Sequence, residues 1–570
     1  MNNLIKLVKK PVAITFILSI ALLWPLFVAP YFTHHDDVQV IRLYEMDKCI
    51  KDLQIPCRWV PDLGGQYGYP LFNYYAPLPY YVGEIFFLLT NNLILSMKVM
   101  FVIPFIASFI FMYLLAKKFW GELGASVSAL FYSYAPYHAL DFYVRGAMGE
   151  LWALMAFPAI FYSLFKLFEK KSIGNILFLT LSFSVLLLSH NLSTMIFIPF
   201  VAIFTIFLYL FKRDNFFVLS ILASFTLAIV LSSFYFIPVI AEKDFVHVDT
   251  TTYGYFHYTE HFKGFKKLFL DRSWGWGQSV REVPGGERDG ISFQIGWVHV
   301  LAWVISLFVA KRLWSSKTNK LAVATIILTT IGIMFAIFMV NPRSEPIWKA
   351  IPPLEFLQFP WRFLILITFF ISFLSGSIFL LTRSKKIWLL LMVAVALFNF
   401  SYFRPEKFIY TSNQELLQGS NWNKQIMRSI FDFLPIYAKE PPATLAESNY
   451  QILTGEASIK DFNKGTNWFN FNADVKTHTI LRLSQYYFPE WIIKIDGQVA
   501  NIEYKNNTLG LMTLILGEGE YRIEGRLFDT PVRILSNWLS LIGFVVILIL
   551  FPLQFKRIQI WIMYYLKRAG

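Results

Sequence analysis

Cysteine is nearly absent: two residues in 570. That excludes a disulfide-stapled scaffold and any zinc cluster built mainly from thiolates. Charge is scarce as well. Asp, Glu, Lys and Arg together make 15% of the chain, against about 25% in soluble domains, which excludes an ordinary water-soluble enzyme. No soluble face collects the net charge of +14, so nothing calls for a nucleic-acid partner. Internal repeats and low-complexity tracts are missing. The first apolar run, 11–32, has no small-residue cleavage site, and it reads as a retained helix with a basic start rather than a removed signal peptide. The apolar runs also carry almost no charge near their middles, where a transporter would place its pathway.

What is abundant is apolar and aromatic side chain: 56% hydrophobic and 18% aromatic, with a mean hydropathy of +0.50. This composition predicts a polytopic α-helical membrane protein. Twelve spans are expected, near 11–32, 93–116, 122–138, 148–167, 173–189, 192–211, 216–238, 293–310, 321–340, 361–382, 387–403 and 534–555. The apolar stretch 80–89 is too short to cross a core that needs about 20 residues, and reads as a juxtamembrane helix. Lys6, Lys9 and Lys10 precede the first span. Lys117, Lys118, Lys170, Lys171, Lys212, Arg213, Lys311, Arg312, Arg383, Lys385, Lys386, Lys556 and Arg557 mark every second connection. By the positive-inside rule those connections are cytoplasmic. Both termini are then cytoplasmic, and loops 33–79, 239–292 and 341–360 and segment 404–533 are extracytoplasmic. The expected organisation is a transmembrane domain over 1–403, an extracytoplasmic module over 404–533, and a final helix with a basic tail over 534–570.

The loop 33–79 stands out. His34, His35, Asp36 and Asp37 emerge together where the chain leaves lipid, followed by Arg42, Glu45 and Asp47 and by an aromatic stretch holding Trp59 and Tyr67. A bland reading is available: a solvated acidic loop with interfacial aromatic anchors. The sharper reading is that this loop carries the chemistry and the rest of the chain brings a membrane-bound substrate to it. Cys49 and Cys57 share the loop. A turn at Pro56 would bring them together in a compartment that permits disulfides, but spacing alone leaves a pair and two free thiols equally open.

Other polar residues gather at external boundaries. Asp141, Arg145 and Glu150 follow the third span, and His190 and Asn191 end the fifth. In loop 239–292, Trp274, Trp276, Arg281 and Arg288 are prominent, and Gly275, Gly277, Gly285 and Gly286 suit a segment that covers a substrate. An interfacial packing loop is the alternative. Arg362 opens the tenth span, either as a lipid-phosphate anchor or as a specific phosphate ligand. The second half of 404–533 alternates β-branched and aromatic residues with polar ones, with turns at Asp496-Gly497 and 517–520, which predicts a small antiparallel sandwich. Its first half is polar and mixed.

The stretch HHDDVQVIRLYEMDKCIKDLQIPCRWVPDLGGQYGYPLFNYYAPLPYYVGE resembles the first loop of a family of bacterial and archaeal membrane proteins catalogued as 6-pyruvoyl-tetrahydropterin synthase-related. The segment YYFPEWIIKIDGQ, in a β-rich module before a final helix, is similar to YfhO-like membrane proteins. Both groups resemble the GT-C glycosyltransferases, which use polyprenyl-phosphate sugars. The pterin label itself finds no support in a chain so largely embedded in lipid. The resemblance implies a GT-C-like fold in the plasma membrane, with transfer of a sugar from a polyprenyl phosphate to a glycan, protein or lipid acceptor. It places Asp36 and Asp37 as catalytic base or as ligands of a divalent ion, Mg2+ or Mn2+, with no cofactor certain. His35, Arg42, Arg145, Glu150, His190, Arg362, Trp59, Tyr67, Trp274 and Trp276 are the residues expected to bind substrate, with Lys98 a further cation for the phosphate. A lipid-glycan transporter or flippase, or a non-catalytic assembly protein, are the alternatives.

Overall fold

A computed structural model describes residues 10–281, 283, 286, 289–427 and 431–569, with side chains to residue 552. Arg288 and Gly285 fall outside the described residues. Among those described, nine helices are long and apolar enough to cross a membrane: Leu93–Ser133, Met148–Glu169, Asn191–Lys212, Asn215–Ala241, Trp297–Ser315, Lys320–Val340, Pro360–Leu380, Lys385–Tyr402 and Pro531–Pro552.

The difference from twelve has local causes. The expected spans 93–116 and 122–138 fall on two helices that meet end to end within Leu93–Ser133, separated by a break at Gly121, where φ 71° and ψ −173° leave the helical region. Such a backbone is open essentially to glycine alone. The expected span 173–189 is a shorter helix, Ile173–Leu187. The first apolar run breaks up before Pro25 and resumes as Pro25–Val28, because proline supplies no amide for the preceding turn. Lys98 Nζ meets the freed carbonyls of Leu26 and Ala29 at 2.6 and 2.8 Å. Lys98 therefore ties off a helix end. The stretch 80–89 lies within the short helix Leu78–Thr90.

Met148–Glu169 and Pro360–Leu380 are the most enclosed helices, and Pro531–Pro552 the least. Leu93–Ser133 and Pro360–Leu380 touch backbone to backbone: a Cβ on Gly124 would lie 2.6 Å from the Gly376 carbonyl oxygen, and one on Gly376 2.3 Å from that of Gly124. Small residues allow this approach where helices have no hydrophobic drive to associate within lipid.

Outside the helices, β1 (Tyr31–Phe32) pairs antiparallel with β2 (Phe408–Ile409), tying the start of the first loop to the segment after the bundle. Residues 404–450 hold short helices, of which Asn413–Leu416 carries a capping box between Ser412 and Glu415. Eight strands follow: β3 (Tyr450–Thr454), β4 (Ala457–Lys464), β5 (Trp468–Val475), β6 (Thr479–Tyr486), β7 (Trp491–Ile495), β8 (Gln498–Val499), β9 (Leu511–Leu516) and β10 (Gly519–Leu527). They form two antiparallel sheets ordered β4-β5-β10-β7-β8 and β3-β6-β9. Asp496 (φ 51°) and Gly497 (φ 83°) make the two-residue turn between β7 and β8 that the Asp-Gly pair favours. The other expected turn, near 517, is no hairpin: it carries the chain from the β9 sheet into the β10 sheet.

The first loop is mortared into this sandwich. Trp59 is fully buried, with ring centroids 5.8 Å from both Phe488 and Trp491. Tyr67 packs on Tyr486 at 5.5 Å, and its carbonyl accepts the Tyr486 amide at 3.1 Å. Asp52 accepts from the Thr466 amide and hydroxyl, both at 2.6 Å, and from Trp468 Nε1 at 2.9 Å.

Candidate functional site

The segment after β1 runs beside the turn that precedes Met148–Glu169. The His35 amide donates to the Val144 carbonyl and the Asp36 amide to the Arg145 carbonyl, each at 2.9 Å. Gly146 closes the turn at φ 63° with the His34 ring against it, and a Cβ there would fall 2.4 Å from His34 Nδ1. Glycine is thus required twice, by conformation and by space. Gln39 Nε2 donates to the Gly146 carbonyl at 2.9 Å. His35 and Asp36 are exposed. Asp37 is half-buried, and its carboxylate accepts the Tyr31 hydroxyl.

Behind this turn lies a buried charge network. Arg145 presents both terminal nitrogens to Glu150, each at 2.8 Å, and Nη1 also reaches Asp141 at 2.5 Å. Arg362 Nε approaches Glu150 Oε1 at 3.1 Å, while its Nη1 donates to the Leu357 carbonyl at 2.7 Å. The Tyr137 hydroxyl donates to Glu150 at 2.8 Å, and Trp361 lies 4.7 Å under the Arg145 guanidinium. Burial, reinforced by the charge of Glu150, holds the Asp141 carboxyl well above its ordinary range. Two guanidiniums, Arg145 and Arg362, thus converge on the Glu150 carboxylate.

His190 caps Asn191–Lys212 by accepting the Ser193 amide at Nδ1, 3.2 Å away. That assigns the ring proton to Nε2. Burial pushes its imidazolium down to about 4, so the ring is neutral at pH 7. Gly149, one residue before Glu150, packs against the His190 ring. Arg42 is buried, with its guanidinium 4.0 Å over the Tyr75 ring and Nη1 3.3 Å from the Tyr80 hydroxyl. Among the described residues no carboxylate lies within ion-pair range of it. The Tyr80 hydroxyl donates onward to Gln39 at 2.5 Å, so Arg42 joins the Gly146 turn through two side chains.

Loop 239–292 reaches the same place. The Trp276 carbonyl lies 2.9 Å from His35 Nε2, its indole donates to the Arg404 carbonyl at 3.3 Å, and Trp274 stacks on Tyr402 at 4.6 Å. Gly275 and Gly277 press against the backbone of Gly290. They serve a close crossing of two chain segments, rather than the freedom of movement expected of them.

Asp36, His35, Arg145, Glu150, Arg362, His190 and Trp276 are thus linked by direct contacts or by shared neighbours at one end of the bundle. Trp59 and Tyr67, expected as substrate contacts, instead form the joint with the sandwich, and Trp59 leaves no surface for a ligand. Lys98 serves the first helix. Tyr137, Gln39, Tyr80 and Gln358 belong to the site's surroundings without having been singled out, because an isolated Tyr or Gln in an aromatic-rich chain carries no spacing signal. Cys49 and Cys57 are joined as a disulfide with Cα atoms 5.5 Å apart. Among the described residues no group of three or more His, Cys, Asp or Glu side chains gathers into a metal site. The adjacent Asp36 and Asp37 match only the lean protein share that Mg2+ commonly takes, one or two carboxylates completed by substrate phosphates and water.

A family model described as "6-pyruvoyl-tetrahydropterin synthase related domain; membrane protein" matches residues 72–404, more than half of the chain. An uncharacterized protein of Lactococcus lactis subsp. cremoris (strain MG1363) is 24% identical over 208 residues, which cover 35% of this chain and 34% of that protein. The alignment thus spans about a third of that relative. The matched family region includes Arg145, Glu150, His190, Trp274, Trp276 and Arg362, and leaves out Asp36, Asp37 and the sandwich. On this match, the chain belongs to the membrane-protein family described as 6-pyruvoyl-tetrahydropterin synthase related.

Proposed function

We propose that the protein is a membrane glycosyltransferase that moves a sugar from a polyprenyl phosphate to an extracytoplasmic acceptor with inversion. The observation that carries this reading is the main-chain pairing of Asp36 with Arg145, which sets an exposed carboxylate beside a buried cluster holding two guanidiniums at one end of a helix bundle. A polyprenyl phosphate leaves as a stable anion and needs no acid to protonate it. The reaction asks for one base at the acceptor hydroxyl and for cations at the departing phosphate.

In the reading, Asp36 is the base. Asp37 is half-buried and already engaged by the Tyr31 hydroxyl, whereas Asp36 is exposed. Asp36 takes the acceptor's hydroxyl proton as that oxygen bonds to the anomeric carbon. The bond from that carbon to the phosphate oxygen breaks on the opposite face, and its electron pair leaves with the phosphate. Arg145 and Arg362, held in place by Glu150, meet the departing charge, with Arg42 behind the Gln39 side chain as a further cation. The Trp276 segment, in contact with His35, covers the reacting centre. A bound divalent ion at Asp36 and Asp37 would supply charge neutralisation at the same phosphate.

The test is mass spectrometry of lipid that co-purifies with the protein in mild detergent. A polyprenyl monophosphate carrying a sugar supports the reading. A lipid diphosphate carrying a preassembled glycan, with no monophosphate sugar, replaces it with the transporter or assembly reading.

A further inference from the structure

A second cluster of cations surrounds a cavity where the last membrane helix begins, and it shares no residue with the site above. The cavity, about 380 Å³, is lined by Leu53, Ile55, Arg58, Arg526, Phe528 and Arg533 among others. Arg58 and Arg533 are almost wholly buried, at 5% and 1% exposure. Arg533 Nε donates to Glu242 at 2.9 Å, but its Nη2 has no hydrogen-bond partner. Arg58 Nε lies 3.4 Å from Asp529, and its terminal nitrogens reach Asn73 and Asn537 at 2.8 Å. Arg526 is exposed on the rim. Arg533 and Arg58 thus each face one carboxylate, Glu242 and Asp529, while Arg526 lies within electrostatic reach of Asp52. Burial pushes Arg58 down to about 10, and the nearby charge of Arg533 works in the same direction. An additional anion would relieve both effects.

The mouth of the cavity has a different chemistry. Leu53 and Ile55, on the turn closed by the Cys49–Cys57 disulfide, are 82% and 67% exposed. Just past Arg533 in the chain, Ile534, Leu535 and Trp538 are exposed as well, on the spanning helix that packs least against the protein. Exposed apolar side chains at the level of a membrane helix's first turn continue its lipid-facing surface. A cationic pocket with an apolar lip at that level fits one class of ligand.

We propose that this cavity binds the phosphate headgroup of an anionic phospholipid, with Arg526 on the phosphate, the buried Arg58 and Arg533 supplying positive charge behind it, and Leu53 and Ile55 in the adjoining acyl layer. Guanidinium forks match phosphate oxygens in pairs, and the volume is in the range of small-ligand sites.

The full chain, reconstituted in nanodiscs holding equal phosphatidylglycerol and phosphatidylcholine, is released into the gas phase, and the retained lipids are counted by native mass spectrometry. Phosphatidylglycerol should be retained in preference to phosphatidylcholine. Because Arg526 is exposed, Arg526→Glu should leave the fold intact and lower that retention about tenfold, the cost of one charge-assisted contact. Leu53→Ser with Ile55→Ser should lower it too. Lys349→Glu, an equally superficial charge reversal elsewhere, should not. Equal retention of the two lipids, or no effect of Arg526→Glu, overturns the proposal. Displacement of the lipid by millimolar inorganic phosphate would assign the cavity to a soluble anion and overturn it as well.

Discussion

Arg145 and Glu150 face each other fork to fork, with both guanidinium nitrogens 2.8 Å from carboxylate oxygens. Five residues apart, on either side of the Gly146 turn, they fix the direction in which that turn leaves the helix Met148–Glu169. The same carboxylate holds Arg362 from a helix more than two hundred residues away. One acidic side chain thus sets the position of both cations.

Glu150→Gln should accordingly be the most damaging single change in this network. It leaves two buried guanidiniums facing a neutral amide, a loss of about 3–5 kcal/mol for a broken buried pair. Thermal unfolding followed by size-exclusion survival should show a large drop. Arg362→Lys should be milder in stability, yet weaken donor binding and turnover together, since an ammonium cannot reproduce the guanidinium's fork.

Asp141→Asn should match wild type in stability near pH 3.8 and below, where the carboxyl is protonated in the folded and unfolded chain alike. Its pH dependence has a defined sign. The folded state keeps the Asp141 proton to higher pH than the unfolded state does, so wild-type stability falls as pH rises from the ordinary carboxyl value of 3.8 toward the raised one, by up to about 1.4 kcal/mol per unit. The asparagine variant lacks this loss and should gain on wild type as pH rises through that window. The opposite trend would mean that Asp141 is ionised in the fold.

Gly146→Ala should destabilise through two additive causes. A left-handed conformation costs about 1–2 kcal/mol for a residue with a Cβ, and the clash with His34 about 1–3 kcal/mol more. Gly254→Ala isolates the first, since Gly254 has φ 60° with nothing within 4 Å of the added carbon. A Gly146→Ala variant no less stable than Gly254→Ala would show that the His34 contact carries no cost.

Cys49 and Cys57 should resist a membrane-impermeant thiol reagent on intact cells until a reductant is added. Labelling of the native protein without reductant would contradict the bond.

The sequence exposed the class of fold because lipid demands long apolar helices and gives composition little freedom. Segment ends were harder to read. Lys117, Lys118 and Glu122 flag the break at Gly121, so it was legible, whereas Pro25 breaks the first run without leaving a dip in hydropathy. The charges that build the site were visible one by one at Arg145, Glu150 and Arg362. Their convergence on Glu150 was not visible, because it depends on the packing of Pro360–Leu380 against the bundle. Trp59 and Tyr67 show the opposite failure. An aromatic side chain serves equally well to stack a sugar and to seal a domain joint, and only the opposing Phe488, Trp491 and Tyr486 decide which.

Release of polyprenyl phosphate from donor by membranes carrying Asp36→Asn or Asp37→Asn measures directly whether Asp36 acts as the base beside the Arg145 cluster. Asp36→Asn should lower turnover by about 10²–10⁴-fold while donor remains bound, and Asp37→Asn should cost far less. Full activity in Asp36→Asn would contradict that role.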